Sequence, residues 1–315
     1  MANTQLPPGG PTTEGLPLAT TRRLGRSDLV VGRIAFGCWR FAGTTIATAQ
    51  AKLETALDAG MTLVDTADIY GFDGDAGFGD AEWLLGQVLD AAPHLRDRMV
   101  LATKGGIRPP VPYDQGADYL VWACEASLRR LKVDHVDLYQ VHRPDLLTHP
   151  AELAATLDGL VERGLTRHVG VSNFTVAQTE ALMAHLRNPL VTTQPQFSPV
   201  HLDPLTDGTL DLCMRGDLAP LAWSPLGGGR LAADPPADPR AARVVEVLDR
   251  LAEREGVARP TVALAWLLAH PAGVVPIIGT QRSERIRELA AAVTVRLDRT
   301  DWYRVLTAAR GERLP

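Results

Sequence analysis

The sequence predicts an α/β fold, a (β/α)8 TIM barrel carrying an N-terminal hairpin and extra C-terminal helices. Short, continuously apolar runs alternate with amphipathic helical runs from residue 33 to the C-terminal region, as in a parallel sheet whose outer face is covered by helices. Eight such strand–helix units can be placed, which is the number that closes a barrel. Three successive strand-like runs end on Asp65, Lys104 and His142, with Tyr70 on the loop just past the first. Charged and ionisable side chains at the C-terminal ends of barrel strands lie at the mouth, where this architecture keeps its chemistry.

The elements follow in order. Residues 22–31 form two short runs around Gly25-Arg26-Ser27-Asp28, a hairpin ahead of the first core strand. The barrel strands are expected at 33–36, 62–65, 99–104, 137–141, 168–172, 192–196, 219–224 and 274–278. Their helices are expected at 45–59, 80–92, 118–131, 150–163, 175–185, 209–215, 259–269 and 283–293. Two helical runs, 241–255 and 298–310, fall outside the repeat, and 71–79, 108–118, 201–208 and 234–239 are rim loops. The first eighteen residues are rich in Pro, Gly and Thr and lack the basic start and apolar stretch of a signal peptide. They read as a flexible tail over 1–19, with 20–315 as a single barrel domain.

Composition removes several function classes. A formal net charge of −5 argues against a nucleic-acid partner, which calls for a clustered basic surface. Cys38, Cys124 and Cys213 are scattered with no C-x-x-C spacing, so no disulfide framework or structural zinc is expected. No apolar stretch reaches the roughly 18 to 20 residues of a membrane span, and a cytoplasmic protein follows. Only three lysines occur, at 52, 104 and 132.

The tetrad of Asp65, Tyr70, Lys104 and His142 has a chemistry of its own. A phenol is a poor proton donor at neutral pH, and an ammonium about 4 Å away would lower its pKa by roughly three units at an effective dielectric near 20. Asp65 would keep a buried Lys104 charged against desolvation, and His142 could orient a carbonyl oxygen against Tyr70. Such a site protonates a developing alkoxide. It needs a nucleophile, and the chain has no G-x-S-x-G elbow, no recognisable Cys/His pair and no H-E-x-x-H metal helix. A nicotinamide hydride fits, yet there is no G-x-G-x-x-G to hold the cofactor in the Rossmann manner. Standing alone, each member has a plainer reading: Asp65 as a cap or local ion pair, Lys104 as a rim charge, His142 as a bonded histidine and Tyr70 as a loop aromatic. Their joint placement at ordered strand ends favours function.

Six motifs in order are similar to those of the aldo-keto reductases, from about Arg22 to the last helix. They are Gly60-Met61-Thr62-Leu63-Val64-Asp65-Thr66-Ala67-Asp68-Ile69-Tyr70-Gly71; Ala81-Glu82-Trp83-Leu84-Leu85-Gly86; Ala102-Thr103-Lys104-Gly105-Gly106; Asp137-Leu138-Tyr139-Gln140-Val141-His142-Arg143-Pro144; Gly170-Val171-Ser172-Asn173-Phe174; and Trp223-Ser224-Pro225-Leu226-Gly227-Gly228, while Gly279-Thr280-Gln281-Arg282-Ser283-Glu284-Arg285 looks like the family's 2′-phosphate clamp. The resemblance implies an NADPH-dependent oxidoreductase that reduces aldehydes or ketones, with Tyr70 as proton donor, Lys104 and Asp65 tuning it, and His142 positioning substrate. It implies cofactor contacts from Gly37, Cys38, Trp39 and Asp65, and a nicotinamide carboxamide held by Ser172, Asn173 and Gln194 with Trp223 stacked on its ring. Ser224, Pro225, Leu226, Gly227, Gly229 and Arg230 would cover the pyrophosphate. Gly279, Thr280, Gln281, Arg282 and Arg285 would hold the adenosine 2′-phosphate at a helix start. Trp39, Tyr70, His142 and Trp223 would wall the substrate pocket. Two departures are the triple glycine 227–229 and Leu289, which stands where many relatives place an Asn over the adenine. No metal is implied; the partner is a small carbonyl compound, and the chain is expected as a monomer or weak oligomer. Two rivals remain: a cofactor-binding regulatory subunit, as in the family's potassium-channel-associated branch, and a Schiff-base lyase, which Asp65 disfavours by keeping Lys104 protonated.

Overall fold

The computed structural model describes residues 19–314; the expected tail therefore lies almost wholly outside the described residues. A two-stranded antiparallel hairpin, β1 (Thr21–Arg23) and β2 (Val30–Gly32), precedes the barrel. The barrel strands are β3 (Ala35–Gly37), β4 (Leu63–Asp65), β5 (Val100–Gly105), β6 (Val136–Val141), β7 (Thr166–Ser172), β8 (Leu190–Gln194), β9 (Ala219–Ala222) and β10 (Val275–Ile278). They run parallel and close in the order β10-β3-β4-β5-β6-β7-β8-β9. Outside them lie α1 (Ile46–Asp58), α2 (Asp80–Ala91), α3 (Ala117–Leu131), α4 (Pro150–Glu162), α5 (Val176–Met183), α6 (Thr209–Gly216), α8 (Arg259–Leu268) and α9 (Ser283–Ala290). The two additional helices are α7 (Pro239–Glu255) and α10 (Arg299–Arg310).

The expected architecture is what forms, with shifts at particular ends. The strand expected at 192–196 is β8, which starts at Leu190 and ends at Gln194, the end falling there because Pro195 has no N–H to give the ladder. The strand expected through Ser224 stops at Ala222. Trp223 keeps only a single bridge to Gln196, and Ser224 turns to φ 49°, which ends an extended run.

Side-chain alternation divides the barrel into two apolar layers. Phe36, Val64, Leu101, Tyr139, Val141, Val169, Val171 and Ile278 face outward into the main core with the helices. Ala35, Leu63, Ala102, Leu138, Val191, Leu221 and Val275 fill the barrel's interior. Leu24, Leu29 and Val31 of the hairpin belong to that second cluster, so the hairpin plugs the N-terminal end. Asp28 at its turn bonds to His168 at 2.8 Å and to Arg167 at 2.5 Å, tying the plug to β7. At the opposite end of the same inward rows the residues turn polar: Asp65, Lys104, Gln140, His142, Ser172 and Gln194.

The additional helices are fixed by their ends and by one aromatic lock. Asp298 caps α10 in a reciprocal box with Asp301, and Asp238 caps α7. Trp266 of α8 and Trp302 of α10 stack at 4.9 Å, and each indole N–H donates to the other's backbone carbonyl, at 3.0 and 3.1 Å.

Candidate active site

The mouth is organised around Lys104, whose side chain has no solvent exposure. Its Nζ donates to Asp65 Oδ2 at 2.6 Å, to the Thr66 carbonyl at 2.8 Å and to the Tyr70 hydroxyl at 3.1 Å. An ammonium has three donors, and all three are used. Asp65 Oδ1 accepts from Gln140 Nε2 at 3.2 Å and Gln194 Nε2 at 3.0 Å, so the buried carboxylate is fully engaged. The pairing arises from register: Asp65 aligns with Ala102 across β4 and β5, which places Lys104 one inward step nearer the mouth. Burial pulls the lysine's pKa down, but Asp65 and Tyr70 outweigh it and leave the amine above its ordinary range.

Tyr70 is carried by a tight loop. Its N–H donates to the Ala67 carbonyl at 3.1 Å, and its own carbonyl accepts from Ala81 at 3.1 Å, clamping the loop to α2. Gly71 and Gly77 cross at the base of the next loop with φ 104° and 83°. A Cβ on Gly77 would meet the Gly71 carbonyl oxygen at 2.2 Å, so only glycine fits there. The phenol's pKa is raised, not lowered as the sequence predicts: burial pushes it up, Lys104 pulls it down, and Asp65 adds to the upward push. Sequence spacing places the ammonium correctly but does not reveal how completely the phenol is desolvated.

His142 follows β6 and packs edge-on to Tyr70, ring centroids 5.7 Å apart at 79°. Its Nδ1 is buried without a hydrogen-bond partner among the described residues. Burial, then Lys104 and Arg143, hold its pKa well below the usual imidazole value, so it is neutral. Beside it, Asn173 Nδ2 donates to the His142 carbonyl at 3.1 Å and to Ser172 Oγ at 2.8 Å, while its Oδ1 accepts from Trp223 Nε1 at 2.9 Å. Ser172 Oγ donates to the Gln194 carbonyl at 2.9 Å. The left-handed backbone at Asn173, φ 61°, is one that Asn tolerates.

The remaining residues singled out by sequence surround this core. Cys38 is buried and donates its N–H to the Asp65 carbonyl at 2.9 Å. The Gly37 carbonyl accepts from Gln281 Nε2 at 3.1 Å, leaving Gln281 Oε1 buried and unpartnered. Trp39 is 60% exposed on the rim. Ser224, Pro225, Leu226, Gly227 and Gly229 wind through short turns closed by Gly227 to Ser224 at 2.8 Å and Gly229 to Leu226 at 3.1 Å. Arg230, expected over a pyrophosphate, is ion-paired with Asp238 at 2.5 Å. Gly279 and Thr280 lead from β10 to α9, where Arg282 occupies the N-cap and Arg285 lies on the exposed first turn. Neither guanidinium has an ion pair among the described residues. Leu289 turns into the core, 4% exposed.

Sequence reasoning passed over the Gln140 side chain and the Thr66 carbonyl. Gln140 was legible, lying two residues before His142 on the same inward row; the Thr66 contact is a backbone matter that no side-chain pattern signals. A buried second tier was also passed over. Glu82 accepts from Thr103 Oγ1 at 2.5 Å and from Arg130 Nε at 2.8 Å, pinning α2 and α3 behind the tyrosine loop.

This closed parallel barrel with a carboxylate, ammonium and phenol bonded at its C-terminal mouth belongs to the aldo/keto reductase family, whose model matches residues 33–309. The chain is accordingly an oxidoreductase, of a family whose members generally use nicotinamide cofactors. It is 57% identical over 303 residues to the 6-dehydroglucose reductase of Novosphingobium aromaticivorans, covering 95% of this chain and 99% of that one. It is 41% identical over 306 residues to the 6-dehydroglucose reductase of Agrobacterium fabrum, covering 93% and 99%. Oxidoreductase YdhF of Escherichia coli is 38% identical over 293 residues, covering 90% and 95%. The crystal structure of the thermostable aldo-keto reductase Tm1743 with the inhibitor epalrestat superposes with a TM-score of 0.78 at 27% identity, covering 91% of this chain and 99% of that one.

Proposed function

We propose that this chain reduces the aldehyde of a polyhydroxylated compound such as 6-dehydroglucose to the alcohol, using NADPH, with Tyr70 as general acid. One observation carries the mechanism. The Tyr70 oxygen accepts from Lys104, and its own O–H donates to no protein acceptor among the described residues. The phenolic proton is therefore free for a substrate oxygen. As that proton leaves, the charge developing on the phenol oxygen lies 3.1 Å from an ammonium, stabilised where charge appears. Asp65, itself held by Gln140 and Gln194, keeps that ammonium in place. His142, neutral and edge-on to Tyr70, orients the carbonyl oxygen toward the phenol. When bound, the nicotinamide supplies the hydride taken up by the carbonyl carbon.

The residues present suit that cofactor. Among the described residues, Gln281 Oε1 is a buried acceptor without a donor, and a side chain on Gly228, Gly229 or Gly279 would meet nothing within 4 Å. Arg282 and Arg285, which have no ion pair among the described residues, stand at the N-terminus of α9, a favourable position for a phosphate, which favours NADPH over NADH. Ser172, Asn173 and Trp223 form the bonded wall against which the nicotinamide would sit. The names of the two 6-dehydroglucose reductases support the substrate class. We further assign residues 20–315 to one domain acting in the cytoplasm as a monomer or weak oligomer, with neither nucleic acid nor membrane as partner; no described helix is long and apolar enough to cross a membrane.

The test is cofactor oxidation by the purified chain with 6-dehydroglucose, NADPH and NADH run in parallel. NADPH is expected to be used more efficiently, and Arg282→Ala to cut that preference by about tenfold, as for one charge-assisted phosphate contact. Tight NADPH binding without oxidation on 6-dehydroglucose or 4-nitrobenzaldehyde would instead make the chain a cofactor-binding regulatory subunit.

A further inference from the structure

The residue after His142 has an environment that the proton-transfer chemistry does not use. Arg143 is part-buried, and its guanidinium lies 5.9 Å from the centre of the Trp223 ring. Its main chain is pinned, because Gln115 Nε2, on a buried side chain, donates to the Arg143 carbonyl. Trp223 is pinned in turn by Asn173, and Asn173 by the His142 carbonyl. The guanidinium thus rests on a fixed aromatic face one residue from the imidazole. It is close enough to contribute, after burial and Lys104, to holding that imidazole neutral.

The five N–H donors of Arg143 make no hydrogen bond or ion pair among the described residues. Other rim arginines behave differently: Arg108 is paired with Asp114 at 2.7 Å and Arg230 with Asp238 at 2.5 Å. A part-buried guanidinium held over an indole with its donors unspent is a ready binding group. Its planar fork matches two neighbouring oxygens on one ligand. The nearby carboxylates are engaged elsewhere: Asp114 pairs with Arg108, and Asp145 accepts from the Gln115 and Leu147 N–H groups and the Thr148 hydroxyl. Five donors with no acceptor match the neighbouring hydroxyl oxygens of a polyol.

We infer that Arg143 is a specificity-determining residue, its guanidinium binding adjacent hydroxyl oxygens of a polyhydroxylated aldehyde whose carbonyl lies at Tyr70 and His142. The inference rests on the reductase reading proposed above and adds to it the group that selects the substrate.

The experiment compares wild type, Arg143→Leu and Arg143→Lys in steady-state NADPH oxidation on 6-dehydroglucose, 4-nitrobenzaldehyde and 4-carboxybenzaldehyde. For Arg143→Leu the ratio of kcat/KM on 6-dehydroglucose to that on 4-nitrobenzaldehyde is expected to fall about 10- to 100-fold, the loss for hydrogen bonds to a charged group. The loss should appear chiefly as raised KM, because the contact is remote from the reacting atoms. Arg143→Lys keeps the charge without the planar fork, and its ratio is expected to fall nearly as far. Equal losses on all three aldehydes would overturn the inference and assign Arg143 to supporting Trp223. A loss confined to 4-carboxybenzaldehyde, restored by Arg143→Lys, would overturn it in favour of an anion site. An unchanged ratio in a folded variant would overturn it outright. A wild type that oxidises NADPH with none of the three aldehydes would remove the reductase reading itself, and this inference with it.

Discussion

At the scale of single residues, the site is a set of buried polar groups that hold one another in place. Removing one partner should cost more than removing a pair. Lys104→Met leaves the Asp65 carboxylate buried and unpaired, and is expected to destabilise the fold by about 3 to 5 kcal/mol in urea unfolding. Adding Asp65→Asn to that variant should recover part of the loss, because no charge is then stranded. Part of the pH behaviour comes from His142, whose folded pKa is depressed below its usual 6.5, as burial also does to His270. Below that value the unfolded chain takes up a proton that the folded chain refuses, so stability is lost as pH falls and is kept above it. In thermal unfolding from neutral to mildly acidic pH, His142→Gln should therefore show a shallower loss than wild type; equal slopes would mean that the imidazole is charged in the fold. The identity and positions of this cluster were legible from strand endings. The upward shift of Tyr70 was not, because desolvation depends on what packs over the phenol and not on its spacing from Lys104.

At the scale of elements, the parallel strands and their helices were legible because continuous apolar runs and helical periodicity are long signals. Ends were less so: β8 ends two residues before the expected end because Pro195 closes it, and β9 stops where Ser224 turns left-handed. The packing of neighbouring helices was not legible at all. Gly86 in α2 is a case where propensity and packing predict opposite signs. Replacing a helical Gly with Ala gains about 1 kcal/mol of intrinsic propensity. Here, however, the new Cβ would lie 2.0 Å from the Arg130 backbone oxygen of α3, and overpacking against fixed backbone costs about 1 to 3 kcal/mol or more. Gly86→Ala is accordingly expected to lower the unfolding midpoint. A raised midpoint would show that α2 and α3 can part without penalty.

At the scale of the whole molecule, one barrel has two different ends. The hairpin seals an apolar floor, and the inward rows become polar only at the mouth, so the floor adds stability without touching the polar cluster. Leu29→Ala in the plug should cost about 2 to 5 kcal/mol while leaving kcat of the folded enzyme within about twofold, since a cavity far from the reacting atoms changes no transition-state contact. The central claim is that the unspent Tyr70 proton is the one delivered to the substrate oxygen. The most direct measurement is single-turnover reduction of 6-dehydroglucose by Tyr70→Phe with NADPH, with cofactor affinity followed separately by tryptophan fluorescence. The rate is expected to fall by about 100-fold or more, the usual share of a general acid, with NADPH affinity unchanged. A Tyr70→Phe rate equal to wild type would contradict the account, because the proton would then come from another group.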